Sequence, residues 1–153
     1  MMTAEGIVEF AHADDLPALV SLLGALFIQE SDFAPDPAKQ FDALRSILDD
    51  PAIGRLFVLR VDGRVGGMAN ALITVSTAEG GRVVLLEDVI VDSGLRGRGY
   101  GRMLVEQVFA WAAAAGMTRV TLLTDAENHA AQGFYARLGF TTSAMRVLRR
   151  GLG

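Results

Sequence analysis

The segment Val89–Val108 reads VIVDSGLRGRGYGRMLVEQV. An apolar strand enters it and an amphipathic helix leaves it, with Arg96-Gly97-Arg98-Gly99-Tyr100-Gly101-Arg102 between them. A plain turn needs one or two glycines. Glycine backbone can approach a bulky anion closely. A helix N-terminus offers unpaired N–H groups and about half a positive charge, and arginines add charge-assisted hydrogen bonds. The natural ligand is a phosphate or pyrophosphate; the plainer alternative is a strand-to-helix turn with solvent-facing arginines. A P-loop requires Gly-Lys-Ser/Thr, which is absent. A dinucleotide fingerprint requires Gly-x-Gly-x-x-Gly in the first strand–helix turn, whereas Gly97-x-Gly99-x-Gly101 follows the fourth strand.

Upstream, Gly6–Phe10 alternates as a first strand. Asp14 or Asp15 is placed to cap a helix with Pro17 in its first turn, and Leu16, Leu19, Val20, Leu23 and Phe27 recur at helical spacing. ESDFAPDP, with Pro35 and Pro37, separates this helix from a second over about Ala38–Leu48. RLFVLRV, the Asp62-Gly63 turn and the run from Arg64 to Ser76 read as a hairpin, in which Gly66 and Gly67 mark a bulge or a close backbone approach. RVVLLEDVIV is a fourth strand, apolar on both faces except at Glu87 and Asp88, the pattern of a central strand. After the glycine loop a helix runs to about Ala115, with Leu104, Val108, Trp111 and Ala115 facing inward. TRVTLLT reads as a fifth strand, DAENHAAQGFYARLG as a fourth helix and FTTSAMRVL as a closing strand or hairpin. This order predicts an α/β fold with a mixed sheet and helices on both faces, in a single domain over residues 1–153.

Composition narrows the chemistry. With 51% hydrophobic and 21% charged residues, the chain is globular rather than disordered. A net charge of −4 confines any basic site to a local patch and argues against nucleic acid as a partner. There is no cysteine, so thiol nucleophiles, disulfides and cysteine-held metals are excluded. His12 and His129 are too few and too far apart in sequence for a histidine-rich zinc site, so no metal is expected. MMTAEGIVEFAHADD lacks the basic start and apolar run of a signal peptide, and no apolar stretch reaches membrane-spanning length. A soluble cytoplasmic protein is expected.

Arg96-x-x-Gly99-x-Gly101 after EDVIVDS resembles the acetyl-coenzyme A loop of the GNAT superfamily of N-acetyltransferases. LLTDAENHAAQGFYARLGF resembles that superfamily's later signature: a strand, an asparagine near a helix start, then Phe-Tyr and Leu-Gly-Phe. The order and separation of the two agree with the family, and the element order of the whole chain is similar. The resemblance implies the GNAT acyl-CoA N-acyltransferase fold, a mostly antiparallel, splayed central sheet flanked by about four helices. It implies that the fourth and fifth strands part, and that the pantetheine arm of acetyl-CoA lies along Val89, Ile90 and Val91. The backbone of Val89 and Val91 would pair with that arm like an added strand. The N–H groups of Arg96, Gly97, Arg98, Gly99, Tyr100, Gly101 and Arg102 would hold the pyrophosphate. Asn128 matches the asparagine that contacts the cofactor arm, and it is also placed to cap the fourth helix.

The implied reaction moves acetyl from acetyl-CoA to a primary amine of a small molecule by direct attack, with no covalent enzyme intermediate and no metal. It needs a neutral amine, a polarised thioester and a proton for the leaving thiolate. Tyr135 matches the tyrosine aimed at the thioester sulphur and is the expected acid; packing beside Phe134 is the alternative. Glu87, where the fourth strand should splay, is the expected base or amine anchor, acting through water. Asp88 faces the other way if the strand is regular, and a bulge changes that parity. The Glu87-Asp88 pair is similar to that of amino-sugar-phosphate N-acetyltransferases, but the short asparagine-to-tyrosine spacing of that group is not seen. His129 reads as solvent-facing, and Glu30, Asp32 and Asp36 as parts of a solvated loop. Two other readings stay open, a protein N-terminal or lysine acetyltransferase and a non-catalytic acetyl-CoA-binding module. Homodimerisation also stays open.

Overall fold

The computed structural model describes residues 5–29 and 34–153; Glu30 and Asp32 lie outside these. The elements are β1 (Gly6–Phe10), α1 (Leu16–Gln29), α2 (Pro37–Asp49), β2 (Gly54–Val61), β3 (Arg64–Ser76), β4 (Gly81–Val91), α3 (Tyr100–Ala114), β5 (Val120–Leu122) and α4 (His129–Arg137). Short 3-10 turns occupy Ala13–Asp15 and Ser93–Leu95. The chain divides into two compact units, Met1–Leu123, which holds the sheet, and Thr124–Gly153, which holds α4.

The sheet runs β1-β2-β3-β4-β5, antiparallel as far as β4 and then parallel between β4 and β5. The β2–β3 hairpin closes on Asp62 (φ 52°) and Gly63 (φ 74°). Both are left-handed, as a turn that matches the strand twist requires. The β2–β3 register shifts between Leu59 and Arg60, which leaves Gly66 as the extra residue. At Gly67 an added Cβ would lie 2.7 Å from the Ile90 carbonyl oxygen, so a close backbone approach fixes that glycine.

Period-two alternation divides the core. Leu56 and Val58 of β2 join Leu16, Leu19 and Leu23 of α1 and Leu44 and Ile47 of α2 in one apolar layer. Phe57 points to the other face, where its ring meets Trp111 of α3 edge-on at 5.6 Å. Each fully buried leucine here contributes about 2 kcal/mol. The buried stripe of α3 is Leu104, Val105, Val108 and Ala112. Leu104 and Val108 face inward as expected and Trp111 meets Phe57, whereas Ala115 lies beyond the helix as its C-cap.

His12, rather than Asp14 or Asp15, is the N-cap of the 3-10 turn that leads into α1, and Asp15 is the third residue of that turn. Its carboxylate accepts the His12 N–H at 2.8 Å, and both its oxygens accept from the Arg60 guanidinium at 2.8 Å. This fork ties the start of α1 to β2. Asp15 is only 7% exposed, yet the Arg60 hydrogen bonds hold its carboxyl below the usual range, against the opposing effect of burial.

One expected element is missing. FTTSAMRVL forms no strand, so the sheet has five strands among the described residues, and β5 is only three residues long. Met145, Leu148 and Leu152 are 90%, 91% and 94% exposed. Beyond Phe140, the segment buries no apolar face to offset the entropy of ordering a strand.

Candidate active site

β4 pairs with β3 as far as Val91 but with β5 only over Val84–Leu86. From Glu87 onward no strand among the described residues lies on the β5 side. The Asp92 N–H donates to the Gly66 carbonyl at 2.8 Å, so strand alternation turns the Val91 peptide groups away from β3, toward that opening. An extended ligand can add there as a strand would. The Val91 carbonyl already accepts from Arg96 Nε at 3.2 Å. Arg96 therefore folds back along the strand, and that carbonyl is engaged before any ligand arrives.

The glycine loop follows directly. Gly97 (φ 79°) and Gly99 (φ 82°) are left-handed. Gly99 is the N-cap of α3 and has no side chain with which to cap the first turn. The space around both is open, with nothing within 4 Å of an added Cβ. Arg98 is exposed and forms no ion pair among the described residues. Arg102 reaches along the helix to Glu106 at 2.7 Å. Tyr100 is buried, its ring packed so close to Gly6 that a Cβ there would lie 2.6 Å away. Tyr100 thus offers the loop only its backbone. An uncapped helix N-terminus, left-handed glycines and an exposed arginine fit a pyrophosphate.

On β4, Asn70 pairs with Glu87 and Met68 with Ile90, which leaves Asp88 and Val89 together opposite Ala69. This bulge centres on Asp88, at φ 53°. A left-handed non-glycine residue costs about 1 kcal/mol, and aspartate is among the residues that tolerate it. The regular strand considered above would have sent Glu87 and Asp88 to opposite faces. The bulge instead brings both to one cavity of about 700 Å³, with Asn70 beside them. Leu23 and Phe27 of α1, Leu44 and Ile47 of α2 and Leu72 of β3 form its walls. Asp36 also lines it and caps α2 by accepting the Lys39 N–H at 3.3 Å.

Asp88 accepts a hydrogen bond from Asn70 Nδ2 at 3.2 Å. Burial pushes its carboxyl above the usual carboxylate range, and the Asn70 amide only partly counters this. Asn70 is 4% exposed, and its Oδ1 has no donor among the described residues. Sequence reading passed over Asn70. The available signal was one carboxamide inside the apolar run GGMANALITV, because a buried amide must find partners.

In the C-terminal unit, Asn128 Oδ1 accepts the Ala131 N–H at 3.0 Å and so caps α4. Its Nδ2 is the group left to serve a cofactor. Tyr135 lies edge-on to Phe134 and Phe140, with ring centres 5.0 and 5.6 Å away. Burial pushes its phenol up to about 12, so at neutral pH it is a hydrogen-bond donor. His129 is exposed, as expected. Among the described residues no three metal-ligating side chains cluster, and no helix is long and apolar enough to cross a membrane.

Residues 18–140 match the model of the Acetyltransferase (GNAT) family. The chain belongs to the GNAT family. It is 36% identical over 85 residues to an uncharacterised N-acetyltransferase of Methanocaldococcus jannaschii, a match covering 55% of this chain but only 38% of that protein. It is 25% identical over 136 residues to the glucosamine 6-phosphate N-acetyltransferase of Arabidopsis thaliana, covering 88% of this chain and 89% of that one. Its fold is that of an aminoglycoside N-acetyltransferase solved in complex with CoA, with a TM-score of 0.84, 22% identity and coverage of 98% and 97%.

Proposed function

We propose that this GNAT protein moves the acetyl group of acetyl-CoA to a primary amine of a small molecule by direct attack. One arrangement carries the reading. β4 leaves β5 just ahead of an uncapped anion turn, and at the same point its bulge opens two carboxylates into a cavity of about 700 Å³. That volume suits a small acceptor.

Acetyl-CoA supplies an acetyl thioester, whose C–S bond gives way to a C–N bond with the amine; the products are the acetamide, the free thiol and a proton. Val89, Ile90 and Val91 line the pantetheine arm; in the C-terminal unit, Asn128 keeps its Nδ2 as a donor for the cofactor. The N–H groups from Arg96 to Arg102 hold the pyrophosphate, with the Arg98 side chain adding charge. The amine arrives as an ammonium. Glu87 anchors it and takes part in its deprotonation; Asp88, made more basic than an ordinary carboxylate by burial, is placed to accept the proton. Tyr135 donates its O–H to the sulphur as the thiolate forms. A phenol near 12 is a weaker acid than a thiol near ~8.5. The hydroxyl therefore acts first as a hydrogen-bond donor, and the proton shed by the nitrogen balances the thiol.

Calorimetric titration with acetyl-CoA, followed by an amine panel scored by thiol release, tests this. The expected result is saturable binding, with thiol released only when an amine is present. Absence of acetyl-CoA binding by the folded protein overturns the proposal. Turnover of peptides alone would transfer it to the protein-acetylating alternative.

A further inference from the structure

We infer that the cavity takes a primary amine bearing one positive charge on an apolar body, and that Asn70 Oδ1 receives its ammonium. The inference rests on the acetyl-transfer reading and narrows its acceptor.

Asn70 supplies the first argument. A carboxylate only accepts hydrogen bonds, so contact with Asp88 fixes the amide with Nδ2 toward Asp88 and Oδ1 away from it. That Oδ1 is buried, lines the cavity and lacks a donor among the described residues. An unpaired buried acceptor is destabilising, and a ligand N–H removes the deficit. An ammonium has three N–H donors. Asn70 Oδ1, Asp88 and Glu87 together present acceptors for all three, and a cation also suits the two carboxylates.

The walls supply the second. Leu23, Phe27, Leu44, Ile47 and Leu72 offer no partners for sugar hydroxyls, and away from Asn70, Glu87 and Asp88 the polar lining is confined to Asp36, Lys39 and Gln40 at the start of α2. An alkyl or aryl body loses nothing there and gains by leaving water.

The third argument is the distribution of charge. Lys39 is the one cation among the described lining residues. It stands 84% exposed and 4.0 Å from the Asp36 carboxylate, so it is a poor phosphate ligand. Among the described residues, a phosphorylated amine would thus meet two carboxylates and no cation but Lys39, which already stands beside Asp36. This separates the chain from the glucosamine 6-phosphate enzyme that it otherwise resembles.

The test compares kcat/KM for 2-phenylethylamine and hexylamine with that for glucosamine 6-phosphate, with acetyl-CoA binding measured separately by calorimetry. The apolar amines should lead by about tenfold or more. Asn70→Ala should raise KM for the amine about tenfold and leave acetyl-CoA affinity unchanged. Ala43→Arg, at an exposed position of α2 that lines the cavity, adds a cation without disturbing the core; it should weaken the apolar amines and favour the phosphorylated one. Preference for glucosamine 6-phosphate in the wild-type protein, or amine KM values unmoved in both variants, overturns the inference while leaving acetyl transfer standing. Failure to bind acetyl-CoA removes the reading beneath it.

Discussion

Asn70 Nδ2 lies 3.2 Å from Asp88 Oδ2, across the bulge that brings Glu87 and Asp88 into one cavity. The pair joins neighbouring strands through an aspartate that is left-handed and whose carboxylate is partly desolvated, both unfavourable for the folded state by themselves. Strain and desolvation concentrated beside a cavity are the expected mark of a site kept for function.

Asp88→Asn should stabilise the protein and impair it. The folded-state pKa of Asp88 lies above its unfolded value, so the native state binds more protons between the two. The cost to stability is absent below the unfolded value, near 3.8, and fully present above the folded one. Asparagine tolerates the left-handed conformation and can still accept from Asn70. Melting curves at pH 7.5 and about pH 4 should show the variant ahead at the higher pH, with the gap closing at the lower. With acceptor present, kcat should fall about 10²-fold. An unchanged kcat would give the base role to Glu87.

Asp15→Asn should do the reverse to stability. Arg60 depresses the Asp15 pKa, so the contribution of the pair is present above the unfolded value and lost as pH falls through the folded one. At neutral pH the loss should be about 2 kcal/mol, as for a hydrogen-bonded charged group. Urea unfolding at pH 7 and about pH 3 checks it; an equal deficit at both would assign the effect to packing.

Gly99→Asp should abolish tight acetyl-CoA binding. The position is open, so the side chain fits, and an aspartate N-cap satisfies the α3 N–H groups that an anion would use. Gly99→Ala controls for the strain of φ 82°. Calorimetry should show a loss of about 10²-fold or more for aspartate and far less for alanine. Equal losses would reduce the loop to a conformational role.

Tyr135→Phe should lower kcat about 10²-fold and leave acetyl-CoA affinity nearly intact, because it removes one donor and little volume. With the phenol at about 12, the wild-type kcat profile should show no alkaline loss from this group below about pH 10. Single-turnover rates decide the matter, and equal rates in both proteins would leave Tyr135 as packing between Phe134 and Phe140.

Features set by near neighbours in the chain are legible in the sequence. The Asp62-Gly63 turn, the helical stripes of α1 and α2 and the Gly97–Gly99 turn each depend on local backbone preference or on spacing within one element. The Val89–Val108 segment points to an anion for the same reason. The carboxylate geometry does not follow from the sequence, because parity at Asp88 depends on how β4 registers against β3, eighteen residues away along the chain. Asn70 carries no pattern; it gains meaning only where strand pairing buries it beside Asp88 and leaves its Oδ1 without a donor among the described residues. FTTSAMRVL has strand-like composition, but a strand also needs a partner edge and a face to bury, and neither is written in the segment itself. Local preference is a property of adjacent residues, whereas register, burial and unmet hydrogen bonds are properties of residues brought together by the fold.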